Sequence, residues 1–144
     1  MLEVNVTSVI PAAIDRVWAV IRDFNAMPAW HPLIAASRIE TGAPSDQVGC
    51  VRNFTLTDGA RIREKLLALS DLDRSFAYGI LEADVPLRDY TAGISLKAVT
   101  DGEATFGHWW AKFNAPAGQE ADLLRMVEQD VFRAGFEALK KRYL

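Results

Sequence analysis

The sequence predicts an α+β fold: a curved, seven-stranded antiparallel sheet wrapped around a long C-terminal helix, with two short helices between strands 1 and 2. Three observations carry this. From Leu33 to Asn114 the chain reads as strands joined by turns, with no helical period between them, and strands in direct succession pair antiparallel. Beyond Pro116 and Gly118 the apolar residues recur at helical spacing to the end. Before Leu33 stand one further strand and a short amphipathic helix.

The elements follow in order. Leu2-Glu3-Val4-Asn5-Val6-Thr7 alternates apolar and polar residues with period 2, the mark of a half-buried strand that Pro11 ends. Ile14, Val17, Trp18 and Ile21 then share one helical face, giving a short helix to about Phe24. Asn25 to Pro32 holds two prolines and supports no more than a helical turn or a loop. Six strands follow over roughly 33–40, 48–57, 60–71, 75–82, 90–99 and 104–114, with hairpin signals at Asp58-Gly59 and Asp101-Gly102. In the final helix, from about Gln119, Leu124, Val127, Val131, Ala134 and Ala138 form one stripe, widened by Phe132, Gly135 and Leu139. Gly135 would permit close approach to the sheet or leave pocket space. Glu120 and Asp122 at the start and Lys140-Lys141-Arg142 at the end complement the helix dipole. Such a helix runs on the order of 35 Å, enough to cross a small domain.

Composition bounds the function classes. The 144 residues fit one domain, residues 1–144, able to bury a core. A net charge of −3 argues against a nucleic-acid surface, which needs a basic face. No apolar run reaches the roughly 18 residues of a membrane span, and the N-terminal residues lack the basic and apolar regions of a signal peptide. With a single cysteine, Cys50, there is no internal disulfide, and the cytoplasm is the expected compartment. GxGxxG, GxxxxGK, CxxC, HExxH and GxSxG patterns are all missing, and the only histidines are His31 and His108. No metal and no cofactor are therefore expected.

Arg16-Val17-Trp18, Trp30-His31-Pro32, Val48-Gly49-Cys50-Val51-Arg52, Arg63-Glu64-Lys65-Leu66, Leu87-Arg88-Asp89-Tyr90, Trp109 and Phe113 together resemble the START/Bet v 1-like superfamily, in its polyketide cyclase/dehydrase and lipid-transport branch. The stretch from Val48 to Tyr90 is also similar to the plant abscisic-acid receptors. The resemblance covers essentially the whole chain and implies the helix-grip fold, with a ligand-sized pocket between sheet and helix. It implies three inward polar residues, His31, Glu64 and Tyr90. It implies an apolar lining of Phe54, Leu56, Ile62, Tyr78, Ile80, Leu87, Trp109, Phe113, Val127 and Val131, with Trp30 beside His31. The receptors carry a lysine where His31 stands, a glutamate where Trp109 stands and an asparagine where Gly135 stands, so this pocket is expected to be less polar and poorly matched to an acidic hormone. Their gate loop shrinks here to Thr57-Asp58-Gly59-Ala60, which argues against a gate-and-latch switch or a phosphatase partner.

Three points stay open on the sequence alone. A two-residue turn at Asp58-Gly59 pairs Phe54 with Arg63, whereas a three-residue loop ending at Ala60 pairs Phe54 with Glu64 and Leu56 with Ile62. The second register is preferred because it keeps Arg61, Arg63 and Lys65 in water. Glu64 faces either a ligand or Arg52, its obvious ion-pair partner. Trp110 points away from Trp109, toward either a protein contact or the underside of the first helix. Three functions compete: binding or transport of a small hydrophobic molecule by a monomer or homodimer, a cyclase- or dehydratase-type enzyme using His31, Glu64 and a tyrosine as acid and base, and a protein-interaction module.

Overall fold

The alternation that begins at Leu2 continues to Ile10, because Val4, Val6 and Ile10 all find the sheet's inner face; this is β1 (Leu2–Ile10). The computed structural model describes residues 1–144. Helix α1 (Ile14–Ile21) buries Val17, Trp18 and Ile21, and α2 (Met27–Trp30) is a single turn with Pro28 where a missing N–H costs nothing. Strands β2 (Ile34–Ile39), β3 (Val51–Leu56), β4 (Arg61–Ser70), β5 (Ser75–Ala83), β6 (Arg88–Val99) and β7 (Ala104–Asn114) follow as consecutive antiparallel neighbours. The sheet order is β1-β7-β6-β5-β4-β3-β2, so the first strand pairs with the last.

Curvature comes from irregularities in the ladder. Register shifts fall at Arg63/Glu64 and Leu66/Ala68 in β4, and at Arg88/Thr91 in β6. Each adds a residue on one side and bends the strand. Asp89 sits in the β6 irregularity at φ 52 and accepts a hydrogen bond from Asn114 Nδ2. The bend turns the next residue, Tyr90, into the interior.

The hairpin between β3 and β4 corrects the expected register. Leu56 and Ala60 face each other, the Leu56 N–H donating to the Ala60 carbonyl at 2.8 Å, so the loop is Thr57-Asp58-Gly59 and ends one residue before Ala60. Gly59 supplies φ +92, and the Asp58 carboxylate accepts from the Ala60 N–H. This is the common three-residue hairpin, a tight turn closed by a left-handed glycine. Phe54 therefore pairs with Ile62, and Arg52 stands directly opposite Glu64. The slide is by two positions, so every side chain keeps its expected face.

The C-terminal helix is 23 residues long. It consists of α3 (Glu120–Arg125), a π-helical stretch (Met126–Arg133) and α4 (Ala134–Arg142). In the π-helical stretch hydrogen bonds close over five residues, as from the Ala134 N–H to the Gln129 carbonyl. The wider turn corrects the predicted stripe. Leu123, Val127, Phe132, Phe136 and Leu139 are buried, while Leu124, Val131, Ala134 and Ala138 are only half-buried. The step from Val127 to Phe132 is five residues, one more than an α-helical face allows. It puts the Phe132 ring flat on Trp109, with centroids 4.5 Å apart, and Phe136 edge-on to the same indole.

Candidate functional site

One end of the concave face is not filled by this packing. Between β3, β4, β5, the start of β6 and the π-helical stretch lies a cavity of about 40 Å³, lined by 15 residues of which 13 are hydrophobic. By the measure that a water needs about 10–15 Å³, it holds on the order of three waters. The expected ligand-sized pocket is thus narrow in this conformation. Leu33, Ile80, Leu87, Met126 and Val131 are its half-buried lining residues, and Ile34, Phe54, Leu56, Ile62 and Val127 are buried.

The two charged lining residues are Arg52 and Glu64, 2% and 4% exposed. Their cross-strand pairing brings Arg52 Nε and Nη2 to 2.9 and 2.6 Å from Glu64 Oε1. Arg52 Nη1 donates to the Phe24 carbonyl, and the guanidinium lies 3.9 Å from the Phe24 ring centroid and 4.8 Å from that of Tyr78. Stacked rings and an anion thus replace the water a buried cation has lost. Glu64 therefore does both things left open by the sequence: it pairs with Arg52 and it borders the cavity. Burial pushes its carboxyl above the usual carboxylate range, against the pull of Arg52. Tyr78 and Tyr90 complete the polar end, and burial, with Glu64 nearby, pushes both phenols upward. The Tyr78 hydroxyl accepts from Trp109 Nε1 at 3.0 Å.

The family model described as polyketide cyclase / dehydrase and lipid transport matches residues 1–143 of the sequence. The chain belongs to this family. Among solved structures it is similar to the protein XoxI from Bacillus cereus, at 25% identity and a TM-score of 0.89, covering 99% of this chain and 96% of that one. An uncharacterized protein from Bacillus thuringiensis aligns at 26% identity and a TM-score of 0.87 over 99% and 98% of the two chains. A START superfamily protein from Mycobacterium smegmatis shares the fold at 12% identity, with a TM-score of 0.78 over 98% of this chain and 96% of that one. No curated protein matches in sequence. No helix is long and apolar enough to cross a membrane.

In this polyketide cyclase/dehydrase family member, Phe54, Leu56, Ile62, Glu64, Tyr78, Ile80, Leu87, Tyr90, Val127 and Val131 line the cavity. Trp30, His31, Trp109 and Phe113 do not. His31 is 1% exposed, and both ring nitrogens are taken by backbone: Nε2–H donates to the Val131 carbonyl at 2.7 Å and Nδ1 accepts from the Leu33 N–H. That pairing fixes one neutral tautomer, and burial holds the imidazole below its ordinary pKa. Trp109 is consumed by Phe132 and Tyr78, Phe113 packs under Tyr90, and Trp30 lies against His31 and Trp109. Trp110 points to the outer face, where its ring covers Gly93. The acid–base set of His31, Glu64 and a tyrosine is therefore not assembled around one space.

Sequence reasoning missed Met27, Leu33, Ile34 and Met126 as lining residues and named Arg52 only as an ion-pair partner. Leu33 and Ile34 were visible as an apolar pair beside His31. Met126 becomes a lining residue in the π-helical stretch, which no 3.6-residue pattern signals.

Proposed function

We propose that the protein binds a small hydrophobic or amphipathic molecule in the cavity between the sheet and the C-terminal helix. The observation that carries this is a cavity with 13 hydrophobic residues out of 15 whose only charged members are a mutually paired Arg52 and Glu64. An apolar space with few convergent polar groups is the usual makeup of a ligand site. Membership of a family described by lipid transport as well as cyclase chemistry agrees with it. A ligand enlarges the space by displacing lining side chains, and Met126, unbranched and flexible, is the one best able to yield.

A cyclase- or dehydratase-type reaction has less support. His31 is engaged at both nitrogens, Glu64 is held by Arg52, and the tyrosine hydroxyls are pushed away from the neutral range. Mass spectrometry of native protein tests the binding reading. A single apolar metabolite that leaves on denaturation supports it, and a Leu56→Trp or Val127→Trp variant, which fills the cavity, is expected to lose that metabolite. Unchanged retention by folded filled variants overturns the assignment to this cavity.

A further inference from the structure

Glu64 has two carboxylate oxygens, and Arg52 uses one. Both donors of Arg52 converge on Oε1, and no protein donor reaches Oε2. Oε2 is nevertheless not sealed away, since among side-chain nitrogen and oxygen atoms shut off from solvent only Trp30 Nε1 lacks a partner. Glu64 is 4% exposed and lines the cavity, so Oε2 opens into that space. Tyr90 lines the same cavity at 6% exposure, its hydroxyl beside that of Tyr78 and close enough to feel the charge of Glu64. The floor thus offers one free acceptor, Glu64 Oε2, beside the neighbouring hydroxyls of Tyr78 and Tyr90, of which Tyr90 can turn its proton from Tyr78 to an incoming oxygen.

Resting on the binding reading above, we propose that the cavity selects a small neutral molecule bearing a hydroxyl group, which donates its proton to Glu64 Oε2 and accepts a hydrogen bond from the Tyr90 hydroxyl. Charge argues for neutrality. Arg52 and Glu64 sum to zero, and a carboxylate ligand would set a second negative charge against Oε2 with the guanidinium already engaged and little water to screen it. Size argues for a small molecule, since even one ring exceeds the about 40 Å³ present and must displace lining side chains such as Met126. A hydroxyl, which both donates and accepts, fits Glu64 whether it is ionised or protonated; a carboxylate fits only the protonated form.

Phenol, benzoate and toluene differ at one position on the same ring and serve as probes. Titration of isotopically labelled protein by NMR at neutral pH reads both affinity and location. Phenol is expected to shift the amides around Glu64, Tyr90 and Val127 and to bind about tenfold or more tightly than toluene or benzoate. In a Tyr90→Phe variant the preference for phenol over toluene is expected to fall several-fold with toluene unchanged; this variant keeps the ring and leaves Arg52 paired. Benzoate binding as tightly as phenol, toluene matching phenol, or a preference untouched by Tyr90→Phe overturns the hydroxyl assignment while the cavity remains a binding site. If none of the three moves the cavity resonances at high millimolar concentration, the binding reading falls as well.

Discussion

Glu64 and Arg52 are worth more as a pair than either is alone. The Glu64→Leu variant leaves a guanidinium buried at 2% exposure with only the Phe24 carbonyl and aromatic faces, and is expected to lose about 3–5 kcal/mol of stability. Adding Arg52→Met removes the stranded charge and is expected to restore most of that loss, since apolar replacement of buried pairs is often neutral or better. Denaturant unfolding of the two single variants and the double variant closes the cycle; additive losses would mean that the pair is not coupled. His31 gives a second test. Folding lowers its pKa below the ordinary value of 6.5, so just under that value the unfolded chain binds more protons than the native one. The stability it contributes is complete above that window and is lost as pH falls through it. Glu64, pushed upward, works in the opposite sense, losing stability as pH rises above about 4.5. The comparison must therefore be differential: between about pH 7.5 and about pH 5.5 the wild type is expected to lose more stability than a His31→Phe variant. Equal losses would show that the imidazole is not held neutral. At this scale the sequence was legible in its faces. Phe54, Leu56, Ile62 and Glu64 point inward as period 2 requires, and a slide by two positions cannot disturb that. The partner of His31 was not legible, because a carbonyl 100 residues away leaves no local trace.

The C-terminal helix meets the sheet through a glycine. A Cβ at Gly135 would stand 2.7 Å from Trp109 Cζ3 and 2.9 Å from His31 Cδ2, both in rings pinned from other sides. Helix propensity alone favours Gly135→Ala by about 1 kcal/mol. Overpacking at rigid rings costs typically 1–3 kcal/mol, so the substitution is expected to lower the melting temperature. A rise would mean that helix and sheet can separate at no cost. Gly107 repeats the device, with Phe136 Cε1 2.8 Å from where its Cβ would be. Helix, strands and their order could be read from period and turn residues alone. The π-helical stretch could not, because a stripe drawn at 3.6 residues per turn through Leu124, Val127 and Val131 looks as continuous as the true one through Leu123, Val127 and Phe132. Choosing between them takes the aromatic rings on the opposite wall.

Over the whole molecule, the sheet's curvature and the helix's wider turn leave a space whose existence follows from the fold but whose size does not. Side chains from β2 to β6 and the helix decide it ångström by ångström, and no sequence pattern reports such sums. The half-buried side chains of Leu33, Leu87 and Met126 come from a loop, the β5–β6 connection and the helix, so the walls belong to separately tethered pieces of chain. A space of about 40 Å³ has a consequence in time as well as in affinity. On the binding reading proposed above, a molecule larger than a few waters enters only when those pieces part, and local openings of this kind run on the microsecond-to-second scale. Entry is then a first-order event belonging to the protein, and the concentration of the incoming molecule governs it only while scarce. In stopped-flow mixing, the observed association rate is expected to rise and then level off with increasing probe, and departure to be slow for the affinity. A rate that climbs linearly toward the diffusion limit would show that the cavity stands open in solution.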